Sequence, residues 1–446
     1  MTTFVVNPGG SLNGRLRVPG DKSMSHRSVI LGALAEGQTR VRGFLEGQDS
    51  LNTLAAFQSM GVPIAYTPGE QGEGGSLVID GVGLDGLRQP EKALDVGNSG
   101  TAMRLMAGVM AAQRFSSTLI GDESLHSRPM GRVIDPLMLM GADISGTADK
   151  RPPLTCAGGR ILKAIEYTTP VASAQIKSCL MLAALYADGV THIHEAGVTR
   201  DHTERMLRGF GVEVGVKDLS VSLRGRQNLR ATDIDVPADI SSAAFFIVGA
   251  SIAPGSSLCL EHVGINPTRT GIIDILRLMG ADIAITNERT VAGEPVADLI
   301  VKHSQLSGID VPVELVPLAI DEFPALFVAA ACASGQTRIT GAAELRVKET
   351  DRIRAMAEGL TALGVDITEL PDGAVIKGAG SLRGGTVDSF EDHRIAMAFS
   401  MAALVSDNCI TVTDCANVAT SFPRYSALAS GVGLNIATSD GSTVSA

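Results

Sequence analysis

The residues that could do chemistry in this chain gather in short windows. Arg346 to Met356 reads RVKETDRIRAM, with four cations and two acids among eleven residues, in a chain whose formal net charge is -11. Such a run is ordinarily a solvated, salt-bridged helix face. On a helix, Lys348 and Arg352 would stand at i and i+4 and repel by roughly a few tenths of a kcal/mol. The alternative is one wall of an anion site, where arginine forks grip carboxylate or phosphate and a carboxyl among them moves protons. Comparable windows recur as GDKSMSHR (Gly20–Arg27), GNSGTAMR (Gly97–Arg104), RPMGR (Arg128–Arg132), TRDHTER (Thr199–Arg205) and EDHR (Glu391–Arg394). Ser, Thr, Asn and Asp at helix starts are ordinary caps, which accounts for Asp239, Ser241 and Ser242 in ADISS. It does not account for Lys22, Arg27, Arg104 or Arg394, because a cation at a helix start opposes the helix dipole. Cations set beside helix N–H donors make sense around an anion. Glycine in GNSGT permits the close backbone approach this needs.

Several other chemistries lack support. GNSGT misses the glycine spacing of a dinucleotide fingerprint, and there is no Walker A motif, so no NAD or ATP site is expected. His192 and His194 form an HxH pair without a third ligand at a recognisable spacing, so no metal is expected. His26 and His393 each precede an arginine, and capping or packing suits them as well as catalysis. The six cysteines show no CxxC and read as reduced thiols. An acidic chain with four tyrosines and no tryptophan is poorly suited to general nucleic-acid binding. The opening MTTFVVNPGGSLNG has no basic and apolar leader pattern. No apolar run approaches the ~20 residues that cross a bilayer. A cytoplasmic protein without membrane or nucleic-acid partners, working as a monomer, is expected.

These windows are placed by a repeat. Six helix-patterned segments end in a glycine followed by a short apolar strand: LNTLAAFQSMGVPI, RVIDPLMLMGADI, TERMLRGFGVEV, GIIDILRLMGADI, IRAMAEGLTALGVDI and YSALASGVGLNI. Glycine after the last turn fits a left-handed C-cap. A second, alanine-rich helix recurs in the same period, apolar on nearly all sides and therefore buried. Six such α/β units divide into two domains of three, residues 21–240 and residues 1–20 plus 241–446, with hinges near 20 and 236–240.

The motifs PGDKSMSHR, GNSGTAMRL, SRPMGR, SAQIKS, TRDHTERM, DEFP, LRVKETDRI, EDHRIAMA and ATSFP run from residue 19 to 423. As a set they resemble the 5-enolpyruvylshikimate-3-phosphate (EPSP) synthase family. The resemblance implies an α/β fold: a two-domain inside-out α/β barrel, each domain of three βαβαββ repeats, with an interdomain cleft. It implies transfer of the enolpyruvyl group of phosphoenolpyruvate to the 5-hydroxyl of shikimate 3-phosphate, without a cofactor. On the family's pattern Asp321 is the candidate base, Glu349 the candidate acid, and Lys22 lies between the substrates. Shikimate 3-phosphate would meet Lys22, Ser23, Arg27, Ser173, Gln175, Arg200, Asp321 and Lys348. Phosphoenolpyruvate would meet Lys22, Gly100, Arg128, Arg352 and Arg394, with Asn98 and His393 in support. Thr420 and Ser421 stand where many members carry a lysine, leaving one family cation unassigned. With Ala174 and Glu344 this resembles the family's divergent second class. The sister family acting on UDP-N-acetylglucosamine typically carries a cysteine in the loop that here reads GDESLHSRP, which has none. Against an RNA-end-binding relative of the repeat fold stand the net charge, the four tyrosines and this motif set; a non-catalytic anion-binding relative would be expected to have lost Asp321 or Glu349.

Overall fold

The computed structural model describes residues 2–69 and 74–439. Twelve helices carry the repeat, alternating between buried and amphipathic. They are α1 (Lys22–Leu34), α2 (Gln48–Ser59), α3 (Gly100–Met110), α4 (Gly131–Leu139), α5 (Ala174–Ala184), α6 (His202–Gly209), α7 (Ile240–Ile252), α8 (Gly271–Leu278), α9 (Phe323–Cys332), α10 (Arg352–Ala362), α11 (His393–Ala402) and α12 (Tyr425–Gly431). The odd-numbered set is largely buried, so it is mostly apolar around its circumference. All 13 residues of α7 are buried. Glycines 61, 141, 211, 280, 364 and 433, one after each even-numbered helix, all have positive φ, from 82° to 119°. That is the left-handed cap the spacing predicts.

The chain divides into two compact units. An inserted unit comprises Gly20–Val236 with Val291–Glu294, and a terminal unit comprises the segments up to Pro19, Pro237–Thr290 and Pro295 onward. Each has a hydrophobic core of its own. Val236 packs in the core of the inserted unit and Ala238 in that of the terminal one, so the chain crosses just ahead of α7. Val291–Glu294, which the sequence reading gave to the terminal domain, belongs to the inserted unit. There His202 Nδ1 meets Glu294 Oε1 at 2.9 Å, and Arg205 donates to the Gly293 carbonyl at 3.2 Å.

Among the described residues, three sheets serve each unit. In five of the six sheets the strand after a buried helix pairs in parallel with one neighbour and antiparallel with another. In the first repeat the parallel neighbour is Ile234–Asp235, returning to Glu36–Phe44 from the far end of the inserted unit. In the terminal unit, Asn13–Leu16 pairs in parallel with Ser257–Gly264. Thr3–Val6 lies between Ile410–Thr413 and Ile436–Ser439. The first strands of the chain thus complete sheets whose other strands come hundreds of residues later. At the crossing, a Cβ on Gly20 would lie 1.9 Å from the Gly43 carbonyl oxygen, so only glycine fits there.

Candidate active site

In the terminal unit the site grows from three helix starts. The turn before α9 carries Asp321, the segment before α10 carries Lys348 and Glu349, and Asp392 caps α11 by accepting from the Arg394 N–H at 2.8 Å. Asp321 Oδ1 lies 3.2 Å from Lys348 Nζ and 3.6 Å from Arg352 Nη1. Arg352 Nη2 donates to Glu349 Oε2 at 2.7 Å, and its Nε donates to Asp392 Oδ2 at 2.7 Å. Arg394 Nη1 donates to the backbone carbonyl of Asp321 at 3.1 Å. His393, buried, is the first residue of α11. Arg352 is 1% exposed. Burial works against its charge but is outweighed by Asp392, Glu349 and Asp321, and its pKa is raised.

Lys348 and Arg352 do not share a helix: Ala343–Val347 is a 3-10 turn, Asp351 is the N-cap, and α10 starts at Arg352. The break turns the two cations onto one carboxylate oxygen of Asp321, which offsets the repulsion a shared helix face would carry. Arg346 and Arg354 keep ordinary salt bridges, to Asp351 and Glu369 and to Glu358 respectively.

The inserted unit offers a different set. Asp21 caps α1 by accepting from Met24 N–H, and Lys22 in the first turn pairs with buried Asp49 on α2. Arg27 is buried, with Nε donating to Thr203 Oγ1 (2.7 Å), Nη1 to the Ser23 carbonyl (2.9 Å) and Nη2 to Ser178 Oγ (2.8 Å). Two of its five N–H donors thus hold α1 against α5 and α6, and a third bonds within α1. Its hydrogen-bond acceptors are hydroxyls and a carbonyl, and burial, only partly offset by Asp21, Glu204 and Glu294, lowers its pKa to about 10. Arg128 Nη2 donates to Asn98 Oδ1 at 2.8 Å, and Asn98 Nδ2 to Asp122 Oδ2 at 2.8 Å. A Cβ on Gly100 would sit 3.1 Å from Arg128 Nη1 and 3.2 Å from Arg104 Nη1, so the missing side chain leaves room for both guanidinium groups. Gln175 accepts from Arg104 and donates to Thr101 Oγ1 at 2.9 Å. Ser173 is the N-cap residue of α5, with no side-chain cap bond. Arg200 lies in the loop between the Val190–His194 strand and α6.

His26 is fully buried between Thr53 and Ser99. Burial, with Lys22 and Arg27 adding to it, holds its pKa well below the usual histidine range; it is a neutral packing residue. His194 is held by Ser220 and Glu166 at the end of its strand. Among the described residues no group of three His, Cys, Asp or Glu is placed to hold a metal, and no helix is long and apolar enough to cross a membrane. The sequence reading had left three partners unassigned. Asp49 and Asp392 hold Lys22 and Arg352, and Arg104 holds Gln175. Only Arg104 gave a signal, as a cation at a helix start.

The whole chain matches known proteins. The model of the EPSP synthase family (3-phosphoshikimate 1-carboxyvinyltransferase) matches residues 6–428. The chain belongs to the EPSP synthase family. A relative from Methylococcus capsulatus named 3-phosphoshikimate 1-carboxyvinyltransferase is 60% identical over 97% of this chain and 98% of its own length. One of the same name from Alkalilimnicola ehrlichii is 59% identical over 98% and 97%. The solved structure of EPSP synthase from Acinetobacter baumannii is 52% identical, superposes with a TM-score of 0.89, and is matched over 99% of this chain and 100% of that one. At that likeness the fold is the family's inside-out α/β fold built from repeats.

Proposed function

We propose that this chain transfers the enolpyruvyl group of phosphoenolpyruvate to the 5-hydroxyl of shikimate 3-phosphate and releases phosphate. Family membership across the chain supports this reaction. The observation that carries the site assignment is the Asp321–Arg352–Glu349 cluster, two carboxyls held by one buried guanidinium. Addition forms a bond from the hydroxyl oxygen to C2 while C3 gains a proton; elimination breaks the C2–O bond to phosphate while C3 gives a proton up. Asp321 takes the hydroxyl proton and Glu349 serves C3. Lys348 and Arg352 fix Asp321 by holding one of its oxygens.

Shikimate 3-phosphate is assigned to Lys22, Ser23, Arg27, Ser173, Gln175, Arg200, Asp321 and Lys348. Phosphoenolpyruvate is assigned to Lys22, Asn98, Gly100, Arg128, Arg352, His393 and Arg394. Cations and N–H donors fixed before the substrates arrive stabilise developing charge without reorganising. The protein is read as a cytoplasmic monomer, a state that sedimentation measures. The deciding experiment is phosphate release from phosphoenolpyruvate by the purified protein. Release that requires shikimate 3-phosphate is the expected result; release driven by UDP-N-acetylglucosamine instead would overturn the assignment.

A further inference from the structure

Among the buried charged clusters the mechanism does not use, one adjoins the residues assigned to shikimate 3-phosphate. Lys177, on the second turn of α5, has a side chain 1% exposed, with Nζ 2.9 Å from Glu195 Oε1 and 2.6 Å from Glu204 Oε1. The carboxylate side chains are 8% and 2% exposed. The other oxygen of Glu195 accepts from Thr199 Oγ1, while Glu204 Oε2 is buried without a hydrogen-bond partner. Burial pushes the Glu195 carboxyl upward against the pull of Lys177 and Thr199. Burying two carboxylates on one ammonium costs more desolvation than a neutral apolar contact of the same volume, so the cluster is poorly explained as a stabiliser.

Its placement gives it another use. The Lys177 backbone N–H donates to the Ser173 carbonyl at 3.2 Å, so its side chain is anchored one turn from Ser173 and half a turn from Gln175. Glu195 opens the loop that carries Arg200, and Thr199 is the residue before that arginine. Glu204 lies on α6, next to Thr203, which holds Arg27. The triad therefore joins α5, the Arg200 loop and α6 at one point.

We infer that Lys177, Glu195, Glu204 and Thr199 are positioning residues that set Arg200 against Ser173 and Gln175 for the phosphorylated sugar-acid substrate. None of the four is among the residues assigned to that substrate. This rests on the substrate assignment above. The ion pairs fix the depth of α5 against α6, and the Thr199 hydroxyl transmits that setting to Arg200. The consequence is selective: binding of shikimate 3-phosphate depends on the triad, and binding of phosphoenolpyruvate does not.

Steady-state kinetics on purified Thr199→Val, Thr199→Ser and Glu195→Gln test it. Thr199→Val leaves every ion pair in place and removes one hydrogen bond to a carboxylate, a charge-assisted bond stronger than a neutral one. Its KM for shikimate 3-phosphate should rise about tenfold, with kcat and the KM for phosphoenolpyruvate within about twofold and Tm unchanged. Thr199→Ser, which keeps the hydroxyl, should restore the wild-type KM. Glu195→Gln keeps the Lys177–Glu204 pair and should raise the same KM by a smaller factor. An unchanged KM in Thr199→Val, or equal rises for both substrates, would overturn the inference. A wild-type protein that does not respond to shikimate 3-phosphate would instead overturn the substrate assignment, so the two failures are distinct.

Discussion

Two arginines, Arg27 in the inserted unit and Arg352 in the terminal one, are equally hidden from water, yet their charges are treated in opposite ways. Arg27 rests on two hydroxyls and a carbonyl, and its pKa falls to about 10. Arg352 rests on Asp392, Glu349 and Asp321, and its pKa rises. Burial is common to both, so the partners decide the sign. A guanidinium held by neutral oxygens keeps its positive field for an incoming anion. One held by three carboxylates neutralises and aims them. On the proposed assignment, the first arrangement suits anion binding and the second suits proton transfer.

Removing the acids should expose this division most sharply. Asp321→Ala and Glu349→Ala should each lower kcat by about 10²- to 10⁴-fold, the range for losing a proton-transfer group; near-normal turnover in either variant would remove that residue from its role. Asp392→Ala takes the most buried acid from Arg352 and leaves a buried cation short of charge. It should cost about 3–5 kcal/mol of stability, read from denaturant unfolding; a midpoint like wild type would show that Glu349 and Asp321 alone suffice.

A subtler contrast lies in pH. His26 is neutral when folded, its pKa held down by burial, whereas an unfolded histidine gains a proton near pH 6.5. Below that pH the unfolded state binds the extra proton, so His26 reduces stability as pH falls, by at most about 1.4 kcal/mol per pH unit. In a His26→Gln variant, stability should fall less steeply from pH 6.5 to 5. Parallel slopes would show that His26 is protonated in the folded protein. Arg354→Ala should do least: its guanidinium is exposed and pairs only at the surface with Glu358, so kcat, both KM values and Tm should match wild type.

Much of the site was legible because its signals are local. Lys22, Arg128 and Arg394 stood out as cations at or beside helix starts, and Gly100 as the gap next to them. Arg352 stood out only as part of a charged run, immediately ahead of the helix-patterned segment IRAMAEGLTALGVDI. Asp49 and Asp392 were not legible at all. A carboxylate becomes a partner by lying across a helix pair, and Asp392 is 40 residues from Arg352. Lys177 looked like one polar residue in the apolar run AQIKSCLMLAALY, and its two carboxylates lie on other elements.

The sequence by itself determined the repeat. Hydrophobic periodicity, a glycine after each amphipathic helix and polar residues before each buried one are set by backbone geometry within a few residues. Only the tertiary structure decided how charge is shared. The partners of Arg27, Arg352 and Lys177 come from helices, and from the turns and loops beside them, brought together by burying apolar faces. Whether a cation stays available to an anion or is matched by carboxylates depends on that packing, which no spacing along the chain encodes.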